Sequence, residues 1–167
     1  MTRLTLAWVV AAALSAADAR AQGPNDPRLA PELRADVIAG RQPAVQVGGG
    51  MQIPAGYYMR IGLDAAIGLR TDAPPGGGSS SRVDGRLDLL TRFLLDPFRQ
   101  SSYGLSIGGG LTLRAEPNDR VRPLLLVAVD VEGRRRQNGL VPALQVGLGG
   151  GLRVGVILRR SATLMAR

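Results

Sequence analysis

The residues best placed to do chemistry in this chain are carboxylates and arginines at alternating positions, Arg82, Asp84, Arg86 and Asp88, with Arg92 beyond them. Asp84 and Asp88 share a parity. On a strand they would lie on one face, about 13 Å apart, wider than the separations that paired glycosidase carboxylates use. Arg86 stands between them as an ion-pair partner for both. The chain contains no His and no Cys. That excludes imidazole bases, thiolate nucleophiles, disulfides and the common zinc ligand sets. Gly76-Gly77-Gly78 lacks the Lys and the following helix of a phosphate-cradling loop. The expectation is a protein without enzymatic activity, cofactor or metal.

One basic cluster could bind. Arg134-Arg135-Arg136, with Arg99 expected on the same rim, offers planar forks suited to phosphate and carboxylate groups. Phosphorylated glycolipid headgroups are the candidate contact, and a solvated turn is the plainer reading. All 21 basic residues are Arg, against 13 acids. Such an excess raises nucleic acid as a partner. Arg and Asp are interspersed, however, and beyond residue 21 the aromatics are only Tyr57, Tyr58, Phe93, Phe98 and Tyr103. That is too few for a base-stacking groove, so no nucleic acid is expected.

The N-terminal stretch directs the chain out of the cytoplasm. Arg3, the apolar run Leu4–Ala17 and the small-x-small site Ala19-Arg20-Ala21 read as a signal peptide over 1–21. The run is short for a spanning helix. Residues 22–42 are a polar leader carrying Pro24, Pro27 and Pro31. Within it Glu32–Ala39 could make two helical turns between Pro31 and Gly40, either ahead of the domain or across its mouth. The domain is expected over 43–160, with a tail at 161–167.

What must position the charges is a set of alternating segments. A glycine triplet recurs at 48–50, 108–110 and 149–151, and the apolar residues around each keep one parity: Val47, Met51, Ile53; Ile107, Leu111, Leu113; Leu148, Leu152, Val154. Side chains alternate faces with period two along a strand, so each triplet is expected at mid-strand. That places Gly48, Gly50, Gly108, Gly110, Gly149 and Gly151 on the face opposite the apolar one. Six segments are visible: Ala44–Ile53, Tyr57–Arg70, Arg82–Leu95, Tyr103–Arg114, Val121–Glu132 and Ala143–Arg159. Short links between them make an antiparallel sheet. Pro123 is acceptable near a strand start or on an edge.

Segments of 10 to 17 residues suit tilted membrane strands better than soluble ones. The non-apolar face mixes glycine, alanine and both charge signs, as a narrow lumen requires. There Arg60, Asp64, Arg82, Asp84, Arg86, Asp88, Arg92, Asp130, Glu132 and Arg153 would form an internal ion-pair network. Tyr57, Tyr58, Phe93, Phe98 and Tyr103 all fall on one rim, as in an interfacial girdle. With this alternation, the run Tyr57-Tyr58-Met59-Arg60-Ile61-Gly62-Leu63 and the glycine strands, the chain resembles small bacterial outer-membrane β-barrel proteins. The resemblance implies an up-and-down antiparallel barrel of six to eight strands in contact with outer-membrane lipid. The implied role is structural, narrow-channel or surface interaction. The alternative is a soluble exported barrel, periplasmic or secreted, that binds a ligand or a protein partner.

Overall fold

The computed structural model describes residues 29–72, 80–98, 100–116, 120–134 and 139–160. Residues 1–21, where a signal peptide is expected, residues 22–28 of the expected leader, Gly76–Gly78, Arg99, Arg135, Arg136 and residues 161–167 lie outside them. The described residues form one closed antiparallel barrel in which sequence neighbours pair and the last strand closes on the first. The strands are β1 (Ala30–Ala39), β2 (Ala44–Pro54), β3 (Met59–Asp72), β4 (Ser80–Leu94), β5 (Gly104–Glu116), β6 (Arg120–Glu132), β7 (Leu140–Leu148) and β8 (Leu152–Arg160).

Two expectations are corrected. Residues 30–39 are not a leader or a helix but β1, so the barrel begins at Ala30. The segment alternates like the others: Leu33 and Val37 face outward, while Glu32, Arg34, Asp36 and Ile38 are buried. Its two edges pair with β2 and β8, which outweighs any preference of ten residues for helix in isolation. The second correction concerns the third glycine triplet. Gly149-Gly150-Gly151 is not mid-strand but the turn that splits 140–160 into β7 and β8, with Gly150 at φ 79° and Gly151 at φ 150°. Register partners across a hairpin share a face, and Leu148 pairs with Leu152 across these three residues. An odd-length turn therefore preserves parity as faithfully as a straight strand does.

The first two triplets do run through strands. Gly48 and Gly50 lie opposite buried Ala66 and Asp64, and Gly108 and Gly110 lie beside Arg92 and Leu90. At Gly110 a Cβ would collide with the carbonyl oxygen of Leu89, so the walls of this barrel curl more tightly than a side chain there permits.

Following the register pairs once around the barrel returns to β1 ten residues from the start. Eight strands with that stagger tilt about 35–45° to the axis and leave an interior just wide enough for side chains. The start of β1, the end of β8 and the β2–β3, β4–β5 and β6–β7 connections share one rim, here the terminal rim. The four remaining turns form the distal rim. Gly133 donates its N–H to the Pro142 carbonyl across β6–β7. Backbone groups alternate sides along a strand, so Pro123, ten residues earlier, turns its missing N–H to the same side. There β6 extends past the first β7 pair, Val127 with Leu148, and no ladder bond is lost.

Candidate functional site in the barrel lumen

The inward residues of all eight strands are where this chain concentrates its polar chemistry. Among the described residues seven arginines (Arg34, Arg70, Arg86, Arg92, Arg114, Arg153, Arg159) and seven carboxylates (Glu32, Asp36, Asp64, Asp84, Asp88, Asp130, Glu132) are buried. This set is charge-neutral, so the excess positive charge of the chain lies outside it. Neutrality matters because a buried charge without a partner is costly, and removing one member of a pair strands the other.

The ions form three tiers. Nearest the terminal rim, Arg159 contacts three carboxylates, Glu32 at 2.9 Å, Glu132 at 2.7 Å and Asp130 at 2.6 Å. Arg92 reaches Asp130 at 2.9 Å, and Gln52 donates to Glu32. In the middle tier the Arg34 guanidinium forks onto Asp36, with Nε at 2.8 Å and Nη2 at 3.0 Å, and donates to Asp64 at 2.8 Å and to Gln145 at 2.6 Å. Asp88 accepts from Thr112 and Arg153, each at 2.8 Å, and lies 3.0 Å from Arg86. Arg86 also reaches Asp36 at 2.5 Å. Toward the distal rim, Arg114 forks onto Asp84 at 2.9 and 2.8 Å, and Gln46 donates to Asp84 at 2.6 Å.

Glycine makes room for these groups. A Cβ at Gly50 would strike Asp64 Oδ1, one at Gly155 would strike Asp36 Oδ1, and one at Gly62 would sit 2.5 Å from Arg92 Nη1. One apolar patch, Leu90, Leu126 and Ala128, interrupts the charged lining.

Of the residues expected in the lumen, Asp64, Asp84, Arg86, Asp88, Arg92, Asp130, Glu132 and Arg153 are buried there. Arg60 is partly exposed at the terminal rim and pairs with Glu132 at 2.8 Å. Arg82 stands at the distal rim with a half-exposed side chain, 3.7 Å from Asp72. Sequence reading missed Glu32, Arg34 and Asp36, because they sit in the segment assigned to the leader. It also missed Gln46, Gln52, Arg70, Arg114, Gln145 and Arg159 as members of the network. Their inward parity was the available signal. Of the basic cluster only Arg134 is described, exposed and donating to Ser102 at 2.9 Å.

Chemically the lumen is a cross-brace. Every buried carboxylate has an arginine within ion-pair distance, and Arg70, Arg92 and Arg153 are almost wholly inaccessible. Asp84 and Asp88, the carboxylates expected on one face too far apart for paired catalysis, are held by Arg114 and by Arg86 with Arg153 respectively. No family model and no curated protein matches this chain. Its function is therefore argued from the barrel itself.

The outward face is the complement of the lumen. Leu33, Val47, Leu63, Leu89, Ile107, Val127, Val146 and Val156 represent the eight strands, each between 42% and 59% exposed. Along the outward parity of all eight strands the one charged residue is Arg160, at the end of β8. Tyr57, Tyr58, Phe93, Phe98 and Tyr103 are exposed at the terminal rim, where Phe98 packs against Tyr57 and Tyr58 with centroids 6.4 and 6.3 Å apart.

Proposed function

We propose that this protein is a non-enzymatic outer-membrane β-barrel with a structural or surface-presenting role. The observation that carries the reading is the inversion of its two faces. A water-soluble barrel buries its apolar face and wets its charges, whereas this one buries fourteen charged side chains and exposes a continuous apolar wall. Soluble monomers rarely expose apolar patches beyond a few hundred Å². Strands of 9 to 15 residues, tilted as the register requires, cross about 25 Å of hydrocarbon. The aromatic rim marks one interface, and lipid is the partner of the wall. Of the roles expected from sequence, free conduction is the least compatible with a lumen filled by ion-paired side chains.

The test is fractionation followed by a gel. Urea-washed membranes should retain the protein, and the unboiled sample should migrate differently from the boiled one. Extraction by urea with no mobility change would instead support the soluble exported barrel.

A further inference from the structure

Glu32, Gly50 and Asp64 occupy one level of the wall, on β1, β2 and β3, because Gly50 is the register partner of both acids. Neighbouring strands lie about 4.8 Å apart, so side chains separated by a whole strand meet only if the position between them is empty. Glycine leaves it empty. A Cβ at Gly50 would strike Asp64 Oδ1, so the Asp64 carboxyl leans across β2 toward β1. There it comes within hydrogen-bond reach of the Glu32 carboxyl. Nearer the distal rim, Gly68 stands between Gln46 and Asp84 in the same way. The groups that meet over Gly68 are an amide donor and a carboxylate acceptor, 2.6 Å apart. Over Gly50 both groups are acids.

The surrounding donors address the other oxygens of this pair. Arg34 Nη1 lies 2.8 Å from Asp64 Oδ2, and Arg92 Nη2 lies 3.5 Å from the same oxygen. Glu32 Oε2 accepts from Gln52 and, at 2.9 Å, from Arg159. Arg34 and Arg92 stand 3.8 and 3.6 Å from Glu32 Oε1, too far to donate to it. Two oxygens are left without a donor, Asp64 Oδ1 and Glu32 Oε1, on side chains that are almost wholly inaccessible. The neighbouring acids have their own cations. Asp88, opposite Asp64 on β4, is held by Arg86 and Arg153; Asp130 on β6 by Arg92 and Arg159; Asp36 on β1 by Arg34 and Arg86; Glu132 on β6 by Arg60 and Arg159.

Ionised carboxylates are acceptors only. Two of them at hydrogen-bond distance in a dry interior repel, and such a pair holds one proton between its members. We propose that Glu32 and Asp64 share a single proton across Gly50, so that the folded lumen contains a buried proton-binding site joining β1 to β3. The bond runs between the two oxygens that lack a donor and leaves Glu32 Oε2 and Asp64 Oδ2 to their arginines. The proton is taken up from water as the strands close. None of this depends on whether the outer wall meets lipid.

The experiment is infrared spectroscopy of the full chain, folded in dodecyl maltoside at neutral pH. The wild type should show the carbonyl band of a protonated carboxylic acid, moving to lower frequency in heavy water. Asp64→Asn should abolish that band, because no second acid then faces Glu32. The asparagine also places an N–H where the shared proton stood and keeps an oxygen for Arg34. Asp64→Asn should therefore retain the wild-type urea midpoint, whereas the same change at an aspartate held only by arginines lowers it. A wild type without the band, or a band that survives Asp64→Asn, overturns the proposal. So does an Asp64→Asn chain whose urea midpoint falls well below wild type, or one that never reaches the folded gel mobility.

Discussion

Asp88 shows what a single residue does in this lumen. It accepts from Thr112 and Arg153 and pairs with Arg86, so it balances two buried guanidinium groups from different strands. Asp88→Asn keeps the shape and removes the charge, leaving Arg86 and Arg153 short of a counter-ion. The expected cost is about 3–5 kcal/mol, read as a lower urea midpoint of the folded form in micelles. Arg82→Gln, at the exposed rim, should cost less than about 1 kcal/mol in the same assay. Glycine supplies the second contrast at this scale. A methyl at Gly110 would meet the Leu89 carbonyl, whereas the nearest atom to one at Gly109 is the Leu126 carbonyl oxygen at 3.9 Å. Gly110→Ala should therefore destabilise by about 1–3 kcal/mol or more, while Gly109→Ala stays close to wild type. The alternation of Asp84, Arg86 and Asp88 made their shared face legible in the sequence. Which arginine each one meets was not, because those partners come from strands as distant in sequence as β8.

Elements were read well where alternation ran long and poorly where local signals competed. β3 and β4 announced themselves through uninterrupted parity over 59–70 and 82–95. β1 did not, since Pro31 and Gly40 bracket it like helix caps and tertiary pairing on both edges decides its fate. The β7–β8 turn hid for a geometric reason: a three-residue loop leaves the inside–outside pattern unbroken, and it shows in the positive φ of Gly150 and Gly151 and in the pairing of Leu148 with Leu152. Each correction has a consequence that can be measured. A chain beginning at residue 43 keeps everything first assigned to the domain but lacks β1, so β2 and β8 lose their shared neighbour. It should give no heat-modifiable folded band. Gly150→Val forces a β-branched residue to positive φ and toward Leu124 Cδ1 at 2.6 Å. It should lower stability by about 1–3 kcal/mol in the urea assay, whereas Gly56→Ala, with nothing within 4 Å, should meet backbone strain alone.

At the scale of the whole molecule the barrel is an inverted protein, and the pattern that shows it was present in the sequence from the start. What the pattern alone lacked was closure, because six segments do not fix a barrel while eight with a ten-residue stagger do. The central claim is that the apolar wall meets hydrocarbon, and its most direct test is the depth dependence of a charge placed on that wall. Leu89 lies near the middle of the outward run Val83–Phe93 on β4, and Val83 lies at its distal end. Folding free energies of Leu89→Arg and Val83→Arg, measured by reversible urea unfolding in lipid vesicles, should differ in a set order. Leu89→Arg should cost about 2–4 kcal/mol and Val83→Arg about 0–1 kcal/mol. Equal and near-zero costs at both positions, the behaviour of a face that meets water, would contradict it.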